Sequence, residues 1–177
     1  MIDALSTGFL IPLPCDIHVE NEELSWNWEF PAILDAPITR APLGVHVPEQ
    51  ATGMPVDLEG RMVVKFTNYW ALEAPVGWDL LFTHPLNRTD LPFQTLSGRV
   101  SADRFTHGYV HFPAVWTYPE FTGTLPKGTP VAQVIPVPRA QPELSIKPMD
   151  DSDIARSRDV QEALQGAPGT YRKIYRA

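Results

Sequence analysis

Apolar and polar residues alternate strictly through Leu24-Ser25-Trp26-Asn27-Trp28-Glu29-Phe30. On a strand, that period places Leu24, Trp26, Trp28 and Phe30 on one face. Asp16-Ile17-His18-Val19-Glu20 alternates as well, and Asn21-Glu22-Glu23 supplies turn chemistry between the two runs, so 16–20 and 24–30 are expected to form a hairpin. Upstream, Asp3 to Ser6 predicts one helical turn stopped by Gly8. The run Gly8 to Pro14 predicts a strand at a sheet edge or end, since Pro12 and Pro14 cannot donate to a ladder. Met62–Phe66 predicts a strand that Tyr69–Glu73 continues or restarts. Pro75 to Pro138 holds three more apolar runs, at 78–82, 109–112 and 131–137, each bounded by Pro or Gly.

Two stretches break this pattern. Pro31 to Gly60 carries Pro31, Pro37, Pro42, Pro48 and Pro55 and reads as a long irregular segment. Such a loop either wraps and covers a sheet edge or carries function. After Arg139 the chain is extended over Gln141–Pro148. Asp151-Ser152-Asp153 then caps a helix over Ile154–Leu164, which Gly166 stops. The expected organisation is one β domain over 1–140 (hairpin 1–30, proline-rich arm 31–60, core 62–138) and a C-terminal extension over 141–177. The fold class is mainly β, a distorted barrel or sandwich with one short helix. The basic tail Thr170–Arg176 is expected to lie across the acidic surface of its own or a neighbouring chain.

Composition narrows the function classes. The chain has 177 residues, 19 of them proline, and a net charge of −7. That acidity disfavours a phosphate backbone as partner, so no nucleic acid is expected. The single cysteine, Cys15, excludes an intramolecular disulfide and fits a reducing cytoplasm. It is expected as a buried thiol. No leader peptide or membrane span is legible, so a soluble cytoplasmic protein is expected, with no membrane partner.

His84, His107 and His111 are candidate metal ligands, with Asp103 or Glu120 completing a two-histidine, one-carboxylate set for iron or zinc. On a regular strand His107 and His111 would stand about 13 Å apart, so sharing an ion requires a bend at Gly108. The competing reading is three loop histidines with structural hydrogen bonds. Trp70, Trp78, Trp116, Tyr118, Phe93, Phe105 and Phe112 are either core or a clamp for a flat ligand. Asn87, Arg88 and Arg104 are either solvated loop residues or the anchor for a carboxylate or phosphate. Asp103 and His107 are the candidate acid–base pair. Ser101 beside them lacks a nucleophile elbow.

Three segments, in order, resemble the dUTPase and dCTP-deaminase superfamily, whose fold is a β-clip. Pro75-Val76-Gly77-Trp78 is similar to its P-x-G turn and Gly98-Arg99-Val100-Ser101-Ala102-Asp103 to its G-V-I-D-x-D-Y-R-G hairpin. Lys127 to Ile135 is similar to its G-D-R-I-A-Q-L strand. The resemblance covers 62–138 and implies a β-clip with a ligand pocket near Trp78, Asp103, Phe105 and Gln133, and assembly as a dimer or trimer. It also implies where catalysis is lost. Ser101 occupies the position of the catalytic aspartate, and a serine cannot serve as the carboxylate base. Arg104 falls where the family places a ribose-stacking tyrosine. Over Gly8–Ile17, Leu81–Arg88, Leu91–Phe93 and Thr122–Pro136 the chain also resembles an uncharacterised bacterial and phage family, a domain of unknown function that brings no activity with it. That family's hairpin carries an aspartate where Ser101 stands and an asparagine where His111 stands.

Three functions are compatible with these residues. One is a small-molecule-binding β-clip protein for a nucleotide-like or aromatic ligand, using Trp78, Asn87, Arg88, Asp103, Arg104, Phe105, Trp116 and Gln133. The second is a metal-dependent enzyme such as a non-haem oxygenase. The third is a structural or interaction protein.

Overall fold

The computed structural model describes residues 4, 6–32, 38–46, 58 and 61–176. Two compact units are present, Met1–Ala140 and Gln141–Ala177. The protein is mainly β, in three antiparallel sheets.

The first sheet joins β1 (Phe9–Pro12), β11 (Pro130–Pro138), β6 (Trp78–Thr83) and β8 (Gly98–Val100), in that order. The second has the order β10 (Gly123–Leu125), β2 (Ile17–Glu20), β3 (Glu23–Ser25). The third has the order β4 (Leu43–Val45), β5 (Val63–Phe66), β9 (Phe112–Trp116), β7 (Phe93–Thr95). No sheet closes into a barrel among the described residues. One core serves all three. Phe82 from the first sheet meets Phe112 from the third with ring centroids 5.4 Å apart, and Phe66 meets Phe93 at 4.6 Å. Ile17 of the second sheet is fully buried in the same cluster. Each such side chain contributes about 1.5–3 kcal/mol on leaving water.

The expected hairpin forms: His18 pairs with Ser25, Val19 with Leu24 and Glu20 with Glu23. Asn21 and Glu22 both take positive φ, 49° and 64°, as a two-residue primed turn demands. Alternation in burial continues to Phe30, with Trp26, Trp28 and Phe30 half-buried, but the strand itself stops at Ser25. Past that point, the Phe30 N–H donates to the Arg40 carbonyl instead of to a ladder.

Other expectations are corrected. Tyr69–Glu73 is not a strand; a single bridge from Ala71 to Tyr109 is all the pairing there. The run at 109–112 yields a strand only from Phe112, extending to Trp116 through Pro113 in an inner position. The proline-rich arm contains β4, which pairs with β5; residues 33–37, 47–57 and 59–60 of that arm lie outside the described residues, as do most of 1–5. Pro136 and Pro138 are tolerated in β11 because β1 pairs only with 130–134, leaving an edge on that side.

The second unit is an extended run followed by α1 (Asp151–Gly166) and one π-helical turn at Tyr171–Tyr175. The cap is Asp150, one residue earlier than expected. Its carboxylate accepts the Asp153 N–H at 2.9 Å, and Asp153 accepts the Asp150 N–H in return. No described helix is long and apolar enough to cross a membrane.

Candidate ligand groove

An aromatic wall is assembled from two separate stretches of the first unit, 28–30 and 69–70. Phe30 and Tyr69 stack face to face, with centroids 4.1 Å apart and planes within 1°. Trp28 stands edge-on to both, at 6.4 and 5.8 Å. The segment carrying Phe30 is tied to Arg40, whose Nε donates to the Phe30 carbonyl at 2.6 Å and whose guanidinium pairs with Glu29 at 3.0 Å. The Tyr69 hydroxyl donates to the Ala41 carbonyl at 2.7 Å. With Pro14 and Trp70 these rings line an apolar cleft of about 330 Å³.

Trp70 is the unusual member. Its side chain is 67% exposed, yet its backbone is gripped from inside the protein. Asn68, only 2% exposed, accepts the Trp70 N–H on Oδ1 at 3.1 Å and donates from Nδ2 to the Trp70 carbonyl at 2.8 Å. The Asn68 N–H in turn donates to Nδ1 of His111 at 3.2 Å. A buried amide is thus committed to presenting an indole to solvent.

Past Pro14 and Trp28, which line both, the groove opens into a polar cleft of about 400 Å³ with Cys15, Asp16, His18, Asn27 and Lys127. Asp16 is oriented by the Lys127 N–H, which donates to Oδ1 at 2.6 Å. His18 Nδ1 shares a hydrogen bond with Thr124 Oγ1 at 2.9 Å. Cys15 is buried as expected, and burial, then Asp16, pushes its thiol up, away from the nucleophilic thiolate.

The structure places the sequence-derived candidates elsewhere. His84 is fully engaged: Nδ1 accepts the Thr95 N–H at 3.2 Å and Nε2 donates to the Arg88 carbonyl at 2.8 Å. His107 is exposed, at positive φ, with Nδ1 3.6 Å from Glu73. His111 serves Asn68. Among the described residues no three His, Cys, Asp or Glu side chains converge as a metal site, so these histidines do not meet.

Asp103 is braced rather than open. Arg139 donates to both its oxygens, and the Gly77 N–H reaches Oδ2 at 3.1 Å. Its carboxyl is held below the usual range, first by Arg139 and then by the Gly77 N–H, so it is a weak base. Gln133 is fully buried: its oxygen accepts the Leu86 N–H, and its amide donates to the Ala4 and Thr7 carbonyls. Trp116 is buried in the core cluster. Trp78, Arg104 and Phe105 are exposed. Asn87 and Arg88 do share a cleft of about 530 Å³, with His84, Phe93, Gln94 and Thr117, but the Arg88 guanidinium is already paired with Asp90 through two bonds of 2.7 Å.

Sequence reasoning placed Trp70 among aromatic clamp candidates and put Trp28 and Phe30 on one strand face, but did not join them to a site. What that alternation could not show is that the strand stops at Ser25, which frees 26–30 to face Tyr69 instead of a ladder. Comparison with models of known families, with curated proteins and with solved structures gives no match.

His111 makes the groove sensitive to acid. Burial, then Lys65, lowers its pKa below the ordinary 6.5. Protonation of Nδ1 would remove the acceptor that Asn68 uses. Because the folded value lies below the unfolded one, the His111 contribution is complete above about pH 6.5 and is lost as pH falls through the lowered folded value. Scanning fluorimetry should show a step of about 2–4 °C in Tm over that interval. The step should vanish in His111→Phe; a step that persists there belongs to another group.

Proposed function

We propose that this chain is a small-molecule-binding protein and that its ligand stacks on the Trp28–Phe30–Tyr69–Trp70 wall. The observation that carries this reading is the exposed Trp70 side chain on a backbone that the buried Asn68 holds from both sides. A mostly exposed tryptophan loses favourable burial, and a buried amide needs partners, so joining the two suits a surface that a ring covers in the bound state. Aromatic walls with a few polar neighbours are the common make-up of ligand clefts. We read the fold as a β-clip of the dUTPase type. In support, the three segments that carry that resemblance lie together, in neighbouring strands β6, β8 and β11. The hydrolytic chemistry does not come with it, since Ser101 stands at the base position and Asp103 is occupied by Arg139.

Trp70→Ala tests the reading. It should leave Tm within about 2 °C of the parent, because the side chain is exposed. It should abolish the fluorescence quench and thermal stabilisation that ring-bearing ligands give the parent chain. Ligand binding undiminished in the variant would remove this groove as the site.

A further inference from the structure

The groove has two compartments of different chemistry, and together they select among ring ligands. This inference rests on the groove being the binding site. The apolar compartment offers aromatic faces, whose negative π-clouds attract weakly positive C–H groups as well as other rings. The polar compartment offers a carboxylate (Asp16), an amide (Asn27), an imidazole (His18) and an ammonium (Lys127) around Pro14 and Trp28. These are donors and acceptors in mixture with no excess of positive charge. Arg40, which holds the segment carrying Phe30, is committed to Glu29 and the Phe30 carbonyl. Lys127 is the one lysine or arginine among the residues that line the two compartments, so an anion there would meet a single fixed positive charge.

Nucleotides fit this poorly. A phosphate requires several converging N–H donors or cations, and a chain at −7 repels it further. A free aromatic ring would fill the wall but leave the polar compartment unused. A neutral saccharide uses both. One face of a pyranose is a patch of C–H groups suited to Trp70 and Trp28, and its rim carries hydroxyls that each donate and accept. Asp16 and Asn27 can take those hydroxyls from opposite roles. The compartments, of about 330 and 400 Å³, meet at Trp28, so adjoining sugar units would each have a place.

We infer that the ligand of this groove is a neutral oligosaccharide, stacked on Trp70 and Trp28 through its C–H face and fixed by Asp16 and Asn27 through its hydroxyls. The test uses the full chain and a panel of cellotriose, maltotriose, xylotriose and N,N′,N″-triacetylchitotriose, with adenosine and indole as flat-ring controls. Binding is read by tryptophan fluorescence and saturation-transfer NMR at millimolar ligand. At least one trisaccharide should bind, and Trp70→Ala and Asp16→Asn should each weaken it by roughly tenfold or more. Asp16→Asn keeps the acceptor that orients the Lys127 N–H, so both variants should stay folded. Binding of adenosine or indole that depends on Trp70, with no trisaccharide bound, overturns the saccharide inference and leaves the groove as the site. Trisaccharide binding indifferent to both variants overturns it too, as does the absence of any Trp70-dependent ligand; that last outcome also ends the proposed function.

Discussion

Arg139→Ala should lower the melting temperature by on the order of 10 °C, the largest loss expected from any single charged residue here. Arg139 sits just beyond β11 and spans two carboxylates. It donates to Asp79 from Nε at 2.8 Å and from Nη2 at 2.6 Å, and to both oxygens of Asp103. Asp79, in β6, has a side chain only 3% exposed and Asp103 one only 6% exposed, so neither can recover its hydration when the guanidinium is removed. Arg99 of β8 reaches Asp79 at 2.5 Å, which spares that residue in part, while Asp103 keeps only the Gly77 N–H and other local contacts. Arg139→Lys should fall between parent and alanine variant, since an ammonium keeps the charge but not the fork. The pH dependence follows. Arg139, ahead of Arg99 and Ser101, holds the Asp79 carboxyl at about 2 against an ordinary 3.8. A folded value below the unfolded one contributes stability that is complete above pH 3.8 and lost as pH falls towards 2. Without Arg139 the carboxyl rises and the acid limb of the Tm profile moves to higher pH. A Tm and acid limb unchanged in Arg139→Ala would show that the cluster does not brace β6, β11 and the 101–104 turn.

Gly8→Ala should cost about 3 kcal/mol, or roughly 10 °C in Tm. Gly8 holds φ at +69°, where a side chain is disfavoured, and a Cβ there would stand 1.9 Å from the carbonyl oxygen of Val134. That oxygen belongs to the inner strand β11, fully buried at this point, and cannot yield as a side-chain tip could. The relief open to the variant is for β1 to withdraw from β11, breaking the register that begins with Phe9 opposite Val134. Two other glycines calibrate the result. Gly77→Ala carries the positive φ, +83°, but meets open space, so it should cost only the conformational part. Gly98→Ala, at the edge strand β8 with neither positive φ nor a neighbour within 4 Å, should be close to neutral. Urea denaturation of the three variants checks the order Gly8 > Gly77 > Gly98. Equal losses would mean that the approach to Val134 is not the cause.

These two sites differ in how far the sequence foretold them. Gly8 was legible as a helix stop beside a strand, but the approach to Val134 joins residues 126 positions apart and has no local signature. The alternation at 16–20 and 24–30 announced β2, β3 and their pairing. The apolar runs at 78–82 and 131–137 announced β6 and β11. The three-residue strands β4, β7 and β10 were missed because three residues show no period, and β8 entered only through the hairpin resemblance at Gly98–Asp103. The strand β9 was hidden by Pro113, a residue that argues against an inner strand until its partner Lys65 is seen. The groove was the hardest to read. Its wall draws on 28–30, 69–70 and Pro14, and nothing in the sequence marks that Asn68 supports Trp70 from within. The histidines looked like a cluster because they are near in sequence; each instead serves a different backbone or side-chain group.

The pairing of β1 with β11 has a bearing on how the molecule is made. The first sheet joins the earliest described strand of Met1–Ala140 to its latest, so during synthesis Phe9, Leu10 and Ile11 emerge well before the strand they pair with. Contacts so far apart along the chain close slowly, and a waiting apolar edge is open to association. Only when Pro130–Pro138 has been added can β1 and β6 be bridged, since β11 lies between them. The ribosome thus delivers β11 after every other described strand, and Pro12 and Pro14, which cannot donate hydrogen bonds, limit how far the early edge can pair with the wrong chain before the right one arrives.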